Sequence, residues 1–151
     1  NAGQSACWKG RMMLKNFYET YNTLQKDNLD TLGLIYDENI RFIDPAHEIH
    51  GLPHLIDYFA GLYSSLDHIS FDFTQQLCMN NDCTVQWVMT FSHPKLARGR
   101  DIEVAGISAL HLLQNGKVDM HRDYFDLGAM LYEHLPILGG LVRNIKRRLI
   151  A

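Results

Sequence analysis

The chain has 151 residues, of which 46% are hydrophobic and 21% charged, with a formal net charge of −3. That length fits one domain burying about 70% of its unfolded surface. A charge this close to neutral offers no global field for nucleic acid, and no apolar run approaches the roughly 20 residues of a membrane-spanning helix. Neither a nucleic-acid nor a membrane partner is expected, and the opening segment lacks the apolar stretch of a secretory signal.

In chain order, the first half reads as helical. "MLKNFYETYNTLQ" places Leu14, Phe17, Tyr18, Tyr21 and Leu24 at spacings of three and four, which predicts an amphipathic helix. "DNLDTLGLIYDENI" predicts a short second helix with Leu29, Leu32 and Ile35 or Tyr36 facing inward. "IRFIDP" is a short strand ended by Pro45, "HEIHG" a loop, and "LPHLIDYFAGLYSSL" a third helix with Pro53 in its first turn.

The second half reads as strands. "HISFDFTQQLCM" alternates, "NND" turns the chain, and "CTVQWVMTFSHP" returns it. "KLARGR" is a basic turn, and its two arginines beside Asp101 suit either an anion or solvent. "DIEVAGISALHLLQ", the hairpin signal Asn115–Gly116 and "KVDMHRDYFD" complete an antiparallel meander. In that last strand, two-residue alternation puts Asp119, His121, Asp123 and Phe125 on one face and Val118, Met120, Arg122 and Tyr124 on the other.

The tail is helical, broken by Pro136 and Gly139–Gly140. Its last part, "LVRNIKRRLIA", is basic and amphipathic, and is expected to cover the domain or a partner subunit. The reading sets apart an N-terminal extension over 1–12 (Asn1 and Ala2 fit a tag remnant), an α+β domain over 13–135 and the basic tail over 136–151. Helices followed by four long antiparallel strands form an α+β cone: three helices against a strongly curved, mostly antiparallel sheet, and a C-terminal helix.

Cysteines number three: Cys7, Cys78 and Cys83. The odd count and irregular spacing argue against a disulfide framework, so free thiols in a cytoplasmic protein are expected, although a bridge across "MNND" is sterically feasible.

This order of elements resembles the nuclear transport factor 2-like superfamily from about Met13 to Asp126. "DNLDTLGLIYDENIRFIDP" and "GLPHLIDYFAGL" resemble stretches of ketosteroid isomerases, and "HRDYFDL" resembles the last strand of limonene epoxide hydrolases and SnoaL-like polyketide cyclases. The resemblance implies a cone-shaped pocket, a homodimer and no cofactor. It puts Asp44 where ketosteroid isomerases keep a general base, and Asp123 where the hydrolases and cyclases keep an acid. The isomerases' oxyanion donors, a Tyr and a protonated Asp, align with Thr20, flanked by Tyr18 and Tyr21, and with Ser108, which speaks against steroid isomerisation. The hydrolases' Arg-x-Asp pair is missing from "VQWVMTF", and their water-positioning Tyr aligns near Phe42, which speaks against epoxide hydrolysis. A SnoaL-like activity asks for one acid/base group in an apolar cavity.

Each candidate has a plainer reading. Asp44, before Pro45, is either a base or a turn aspartate capping "PAHE". Asp123 and His121 are either an acid/base pair or a solvated or salt-linked strand end. His47, His50 and His54, near Glu48, lack H-E-x-x-H spacing and read as a solvated loop or cavity rim rather than a metal site. No nucleophile elbow, phosphate loop or dinucleotide fingerprint is present. The expected function is cofactor-free, metal-free acid/base chemistry on a small, apolar, carbonyl-bearing molecule. Asp123, His121 and Asp44 are the catalytic candidates, and Tyr18, Tyr21, Phe42, Phe59, Trp87, Ser108 and Leu110 the substrate contacts. The alternative is a non-catalytic module using the same cone to hold a ligand or peptide.

Overall fold

The computed structural model describes residue 12 and residues 14–149. Apart from Met12, the N-terminal extension with Asn1, Ala2 and Cys7 lies outside the described residues.

Helix α1 (Lys15–Thr23) turns Phe17, Thr20 and Tyr21 inward between the buried Leu14 and Leu24. Where the spacing predicts a second helix, a 3-10 turn (Leu29–Leu34) buries only Leu29 and Leu32. The chain then becomes extended: Tyr36, Ile40 and Phe42 are buried at even spacings, so strand β1 (Tyr36–Ile43) starts earlier than "IRFIDP" suggests. The predicted loop "HEIHG" contains strand β2 (Glu48–His50), which pairs with β1 and sets Glu48 beside Arg41 at 2.7 Å. Helix α2 (Leu52–Ser65) follows Gly51, whose φ of 87° lies in the left-handed region that glycine enters without strain. Leu55, Phe59 and Tyr63, at i, i+4 and i+8, form its buried stripe.

Strands β3 (His68–Met79), β4 (Asp82–Ser92), β5 (Ile102–Leu112) and β6 (Val118–Phe125) form the meander. The sheet is six-stranded, in the order β2-β1-β6-β5-β4-β3, open at both edges. All neighbours are antiparallel except β1 and β6, which run parallel with Phe42 opposite His121. The architecture is the expected α+β cone. On the concave face β4 buries Cys83, Val85, Trp87, Met89 and Phe91, and β5 buries Ile102, Val104, Ser108, Leu110 and Leu112. Each fully buried aliphatic side chain contributes about 1.5–3 kcal/mol relative to exposure.

Two bulges change which residues face inward. In β3, Phe73 pairs with Trp87 and Gln75 with Gln86, so Thr74 is the extra residue. Inward positions are odd before it (Ile69, Phe71, Phe73) and even after it (Gln76, Cys78), which leaves Leu77 and Met79 exposed. In β6, His111 pairs with Met120 and Leu112 with Val118, so Asp119 is the extra residue. Strict alternation therefore fails there: Asp119 is bonded to His111 at 2.6 Å, while His121 is buried.

The β3–β4 turn also corrects the thiol expectation. With Met79 opposite Asp82 across Asn80–Asn81, Cys78 falls directly opposite Cys83, with Cα atoms 4.1 Å apart, and the two are disulfide-bonded. The compartment-based expectation carried no information about this register.

Beyond β6 come α3 (Leu127–Met130), capped by the Asp126 carboxylate on Ala129 N–H, a 3-10 turn (Tyr132–His134) and α4 (Leu138–Arg148). Met130, Leu131 and Leu135 cover a core cluster built on Trp87, Met89, Phe91, Leu96, Ile102 and Val104. Among the described residues no helix is long and apolar enough to cross a membrane.

Gly106 interrupts the inward row of β5 because the Trp87 indole occupies the space above it; a Cβ there would lie 2.3 Å from Trp87 Cη2. Gly106→Ala is expected to lower stability by about 1–3 kcal/mol through displacement of this buried ring. Denaturant unfolding followed by circular dichroism measures it, and an unchanged midpoint would show that the ring yields without cost.

Candidate active site in the cone

A cavity of about 420 Å³ occupies the cone, within the range usual for small-molecule sites. Phe17, Tyr21, Phe42 and Phe59 line one side, and Phe71, Phe73, Trp87, Met89 and Phe91 another. Leu127, Met130, Leu131 and Leu135 of the tail complete it. Into this apolar surface β6 delivers His121, 2% exposed, and Asp123, 16% exposed at its side chain.

These two groups belong to one hydrogen-bonded chain. Asp123 Oδ1 is 2.6 Å from His121 Nε2 and accepts from the Ser108 hydroxyl at 2.5 Å. The Ser108 oxygen in turn accepts from Trp87 Nε1–H at 2.8 Å. On its other side, His121 Nδ1 is 2.6 Å from the Tyr36 hydroxyl, which is 2.6 Å from the Tyr21 hydroxyl. Strand register explains the meeting: Ser108 is opposite Asp123, Leu110 opposite His121, and Trp87 opposite Gly106. The imidazole is packed by Phe42, its ring centroid 4.7 Å away, and by Phe17 at 5.8 Å.

With Asp123 ionised and the imidazole neutral, the bonds select one tautomer. Nε2–H donates to the carboxylate, Nδ1 accepts from Tyr36, and Tyr36 accepts from Tyr21. Burial holds both phenols well above the ordinary phenol range; the neighbouring Tyr36 and then Asp123 add to the effect at Tyr21, while at Tyr36 the bond from Tyr21 offsets part of it. Both are therefore neutral donors at physiological pH. Tyr21 and Asp123 touch the cavity at the two ends of this arc; Tyr36, fully buried, does not. Asp123 Oδ2 has no partner among the described residues, so it is the oxygen available to a ligand.

Asp44 also lines the cavity, in the turn-capping role. Its Oδ1 accepts from the backbone N–H of Ala46 and His47, both at 2.7 Å, and its Oδ2 accepts from the Tyr58 hydroxyl at 2.5 Å. Burial, followed by this carboxylate, pushes the Tyr58 phenol up. Both Asp44 oxygens are committed, which leaves Asp123 as the carboxylate with a free oxygen.

Of the predicted contacts, Tyr21, Phe42, Phe59, Trp87 and Ser108 line the cavity. Tyr18 and Leu110 do not. Tyr18 stacks on Phe73 and donates to Gln76 Oε1 at 2.6 Å, and Leu110 lies in the larger core cluster. The three loop histidines do not converge: His47 lies at 3.2 Å from Asp44, His50 at 3.0 Å from Glu48, and His54 Nδ1 at 2.9 Å from the His50 carbonyl. Among the described residues no three His, Cys, Asp or Glu side chains are placed to hold a metal. Sequence reasoning missed Tyr36 and Tyr58 as site members. The usable signal for Tyr36 was the spacing Tyr36–Ile40–Phe42, which is even and not helical.

Because folding raises the Tyr21 and Tyr36 pKa values above those of the unfolded chain, their contribution to stability is complete below the ordinary phenol pKa and is lost as pH rises beyond it. Absorbance at 295 nm is expected to show the exposed phenols titrating first, with the buried ones ionising only in a steep step coincident with loss of circular dichroism. Simple titration of all seven tyrosines before unfolding would contradict the buried chain.

Comparison with known proteins agrees with this architecture. No curated protein matches the sequence. Solved structures match across most of the chain at low identity. A protein of ketosteroid isomerase-like fold from Catenulispora acidiphila, in complex with trimethylamine, superposes with a TM-score of 0.70 at 14% identity, covering 82% of this chain and 93% of that one. An NTF2-like protein from Burkholderia pseudomallei gives 0.68 at 13%, covering 80% and 93%. TerC, co-crystallised with polyporic acid, gives 0.67 at 11%, covering 78% and 94%. The SnoaL-like domain family matches residues 14–121, and the chain belongs to that family, within the NTF2-like superfamily.

Proposed function

We propose that the protein binds a small, mostly apolar, carbonyl-bearing molecule in the cone and moves a proton on it by cofactor-free acid/base chemistry, as an isomerase, cyclase or lyase. The carrying observation is the state of Asp123, a residue that lines the apolar cavity: one oxygen is held by Ser108 and His121, and the other has no partner among the described residues. Oδ2 takes a proton from the carbon beside the carbonyl, and the C–H electron pair moves into the carbonyl to give an enolate. The imidazole and Ser108 keep the carboxyl group oriented as its charge changes. Tyr21, at the other end of the chain, has its hydroxyl proton committed to Tyr36, so it steadies the arc and offers a ligand only its oxygen as an acceptor. Return of the proton to a different atom completes an isomerisation; attack of the enolate carbon on a second carbonyl, whose π pair becomes an alkoxide that takes the proton back from Asp123, completes a cyclisation.

Two of the similar structures were determined with small organic molecules, trimethylamine and polyporic acid. They support a ligand of that size class here and do not define its identity. A purely binding role needs the same cavity but not the free Oδ2.

The test is a panel of small ketones and lactones, screened by thermal shift and then by deuterium incorporation in D₂O. A stabilising ligand is expected to exchange its carbonyl-adjacent hydrogen. Asp123→Asn is expected to slow exchange by about 10²–10⁴-fold while keeping the thermal shift. Exchange surviving in the variant would remove Asp123 as the base. Binding without exchange in the native protein would favour the binding-module reading.

A further inference from the structure

The basic tail is the element that this function does not use, and it turns its polar face, not its apolar one, to the domain. Helix α4 rests on the domain through its polar side. Lys146 Nζ bonds the Asp126 carboxylate and lies 2.6 Å from Glu133 Oε1. Arg143 Nη1 donates to the Glu133 carbonyl at 2.5 Å. Gly139 is buried against that same carbonyl, so closely that a Cβ would meet it at 2.3 Å. Residues 139, 143 and 146 are spaced by four and three, a single helical face.

The apolar side therefore points away from the body. Leu141 is 55% exposed, Ile145 54% and Leu149 84%, with Ile137 at 95% just ahead of the helix. These positions also recur at four-residue spacing. Arg148, seven residues beyond Leu141, is exposed on the same side, and Arg147 is exposed on the helix flank, neither with an ion pair among the described residues. Residues 136–151 hold four basic and no acidic side chains, a charge of +4; with −3 for the whole chain, the rest carries −7.

We propose that α4 docks this outward stripe on an anionic lipid surface. The chemistry fits at three points. The apolar row is parallel to the helix axis, as insertion at an interface requires. The flanking arginines match acidic headgroups. The helix is already anchored to the domain by its other face, so docking need not unfold it. A second copy of the chain fits less well. Two such helices placed stripe to stripe bring their unpaired arginines toward one another, and eleven residues, roughly 16 Å long, fall short of the ~800 Å² per partner of a standard interface. The segment that α4 grips also carries Leu127, Met130, Leu131 and Leu135 of the cavity wall, so docking would hold that wall against the lipid. This inference reverses the expectation that no membrane is involved, and it does not depend on turnover in the cavity.

Flotation of the full chain with vesicles of phosphatidylcholine alone, or of phosphatidylcholine with phosphatidylglycerol, tests it. Binding is expected to the phosphatidylglycerol vesicles only, and to weaken as salt is raised. Leu141→Asp with Ile145→Asp, and separately Arg147→Glu with Arg148→Glu, are expected to lower partitioning by roughly tenfold or more. These positions are exposed, and unchanged circular dichroism confirms that the fold is intact. Absence of binding to phosphatidylglycerol vesicles, equal binding to both compositions, or full binding by either folded variant would overturn the proposal. So would light scattering showing that the Asp variant dissociates a dimer while the native chain ignores vesicles, because the stripe would then be an interface between copies.

Discussion

A buried imidazole beside a carboxylate inside an apolar cone dictates most of the site. His121 and Asp123 cannot rely on water, and a buried polar atom without a partner costs about 1–3 kcal/mol. Every donor and acceptor on the protein side must therefore be answered locally. Ser108 and His121 answer Asp123 Oδ1, and Trp87 answers Ser108. Tyr36 answers His121, and Tyr21 answers Tyr36. Gly106 clears the volume that the Trp87 ring needs. Among the described residues no buried side-chain nitrogen or oxygen is left without a partner. Asp123 Oδ2 stands outside this accounting, on a residue that lines the cavity, and under the proposed function that oxygen is where a reaction would begin.

The sheet achieves this through irregularity. Without an extra residue at Asp119, the run from Val118 to Phe125 could not bury both Val118 and His121, which differ by an odd number of positions. With the bulge, Asp119 pairs outward with His111, and the remaining strand presents His121, Asp123 and Phe125 to the cone. The parallel pairing of β1 with β6 then brings Phe42 against the imidazole and Tyr36 within reach of Nδ1. These are non-local contacts, 85 residues apart in the case of Tyr36 and His121.

That separation marks the boundary of what could be read in advance. The alternations of "CTVQWVMTF" and "DIEVAGISALHL" are two-residue apart from the outward Val88 and Ile107 and the inward Gly106 and Ser108, so the faces of β4 and β5 were largely legible. The common face of His121 and Asp123 was legible for the same reason, and of the aromatic lining Tyr21, Phe42, Phe59 and Trp87 were anticipated. Bulges leave no comparable mark, so the placement of Asp119 was not; the bridge across the Asn80–Asn81 turn was geometrically legible, and the thiol count and compartment pointed the other way. "LGLIYDENI" satisfies a helical and an extended pattern for a few residues each, and the choice was settled by Tyr36 bonding to groups far away in the chain. Tyr18 shares the apolar stripe of α1 but lies at its edge, against Phe73 and Gln76, instead of at the cavity. For the tail, amphipathicity defines two faces without saying which one the domain takes; Asp126 and Glu133 decided that by engaging Lys146.

The arc from Asp123 to Tyr21 is tested most directly by the protonation pattern of one ring. Long-range ¹H–¹⁵N NMR of the histidine side chains, with His121 assigned by substitution, reports which nitrogen carries hydrogen. The expected result is a proton on Nε2, bonded to Asp123, and a bare, hydrogen-bonded Nδ1. A proton on Nδ1 with a bare Nε2 would reverse the bonds from Asp123 through His121 and Tyr36 to Tyr21 and contradict an ionised Asp123 poised as a base.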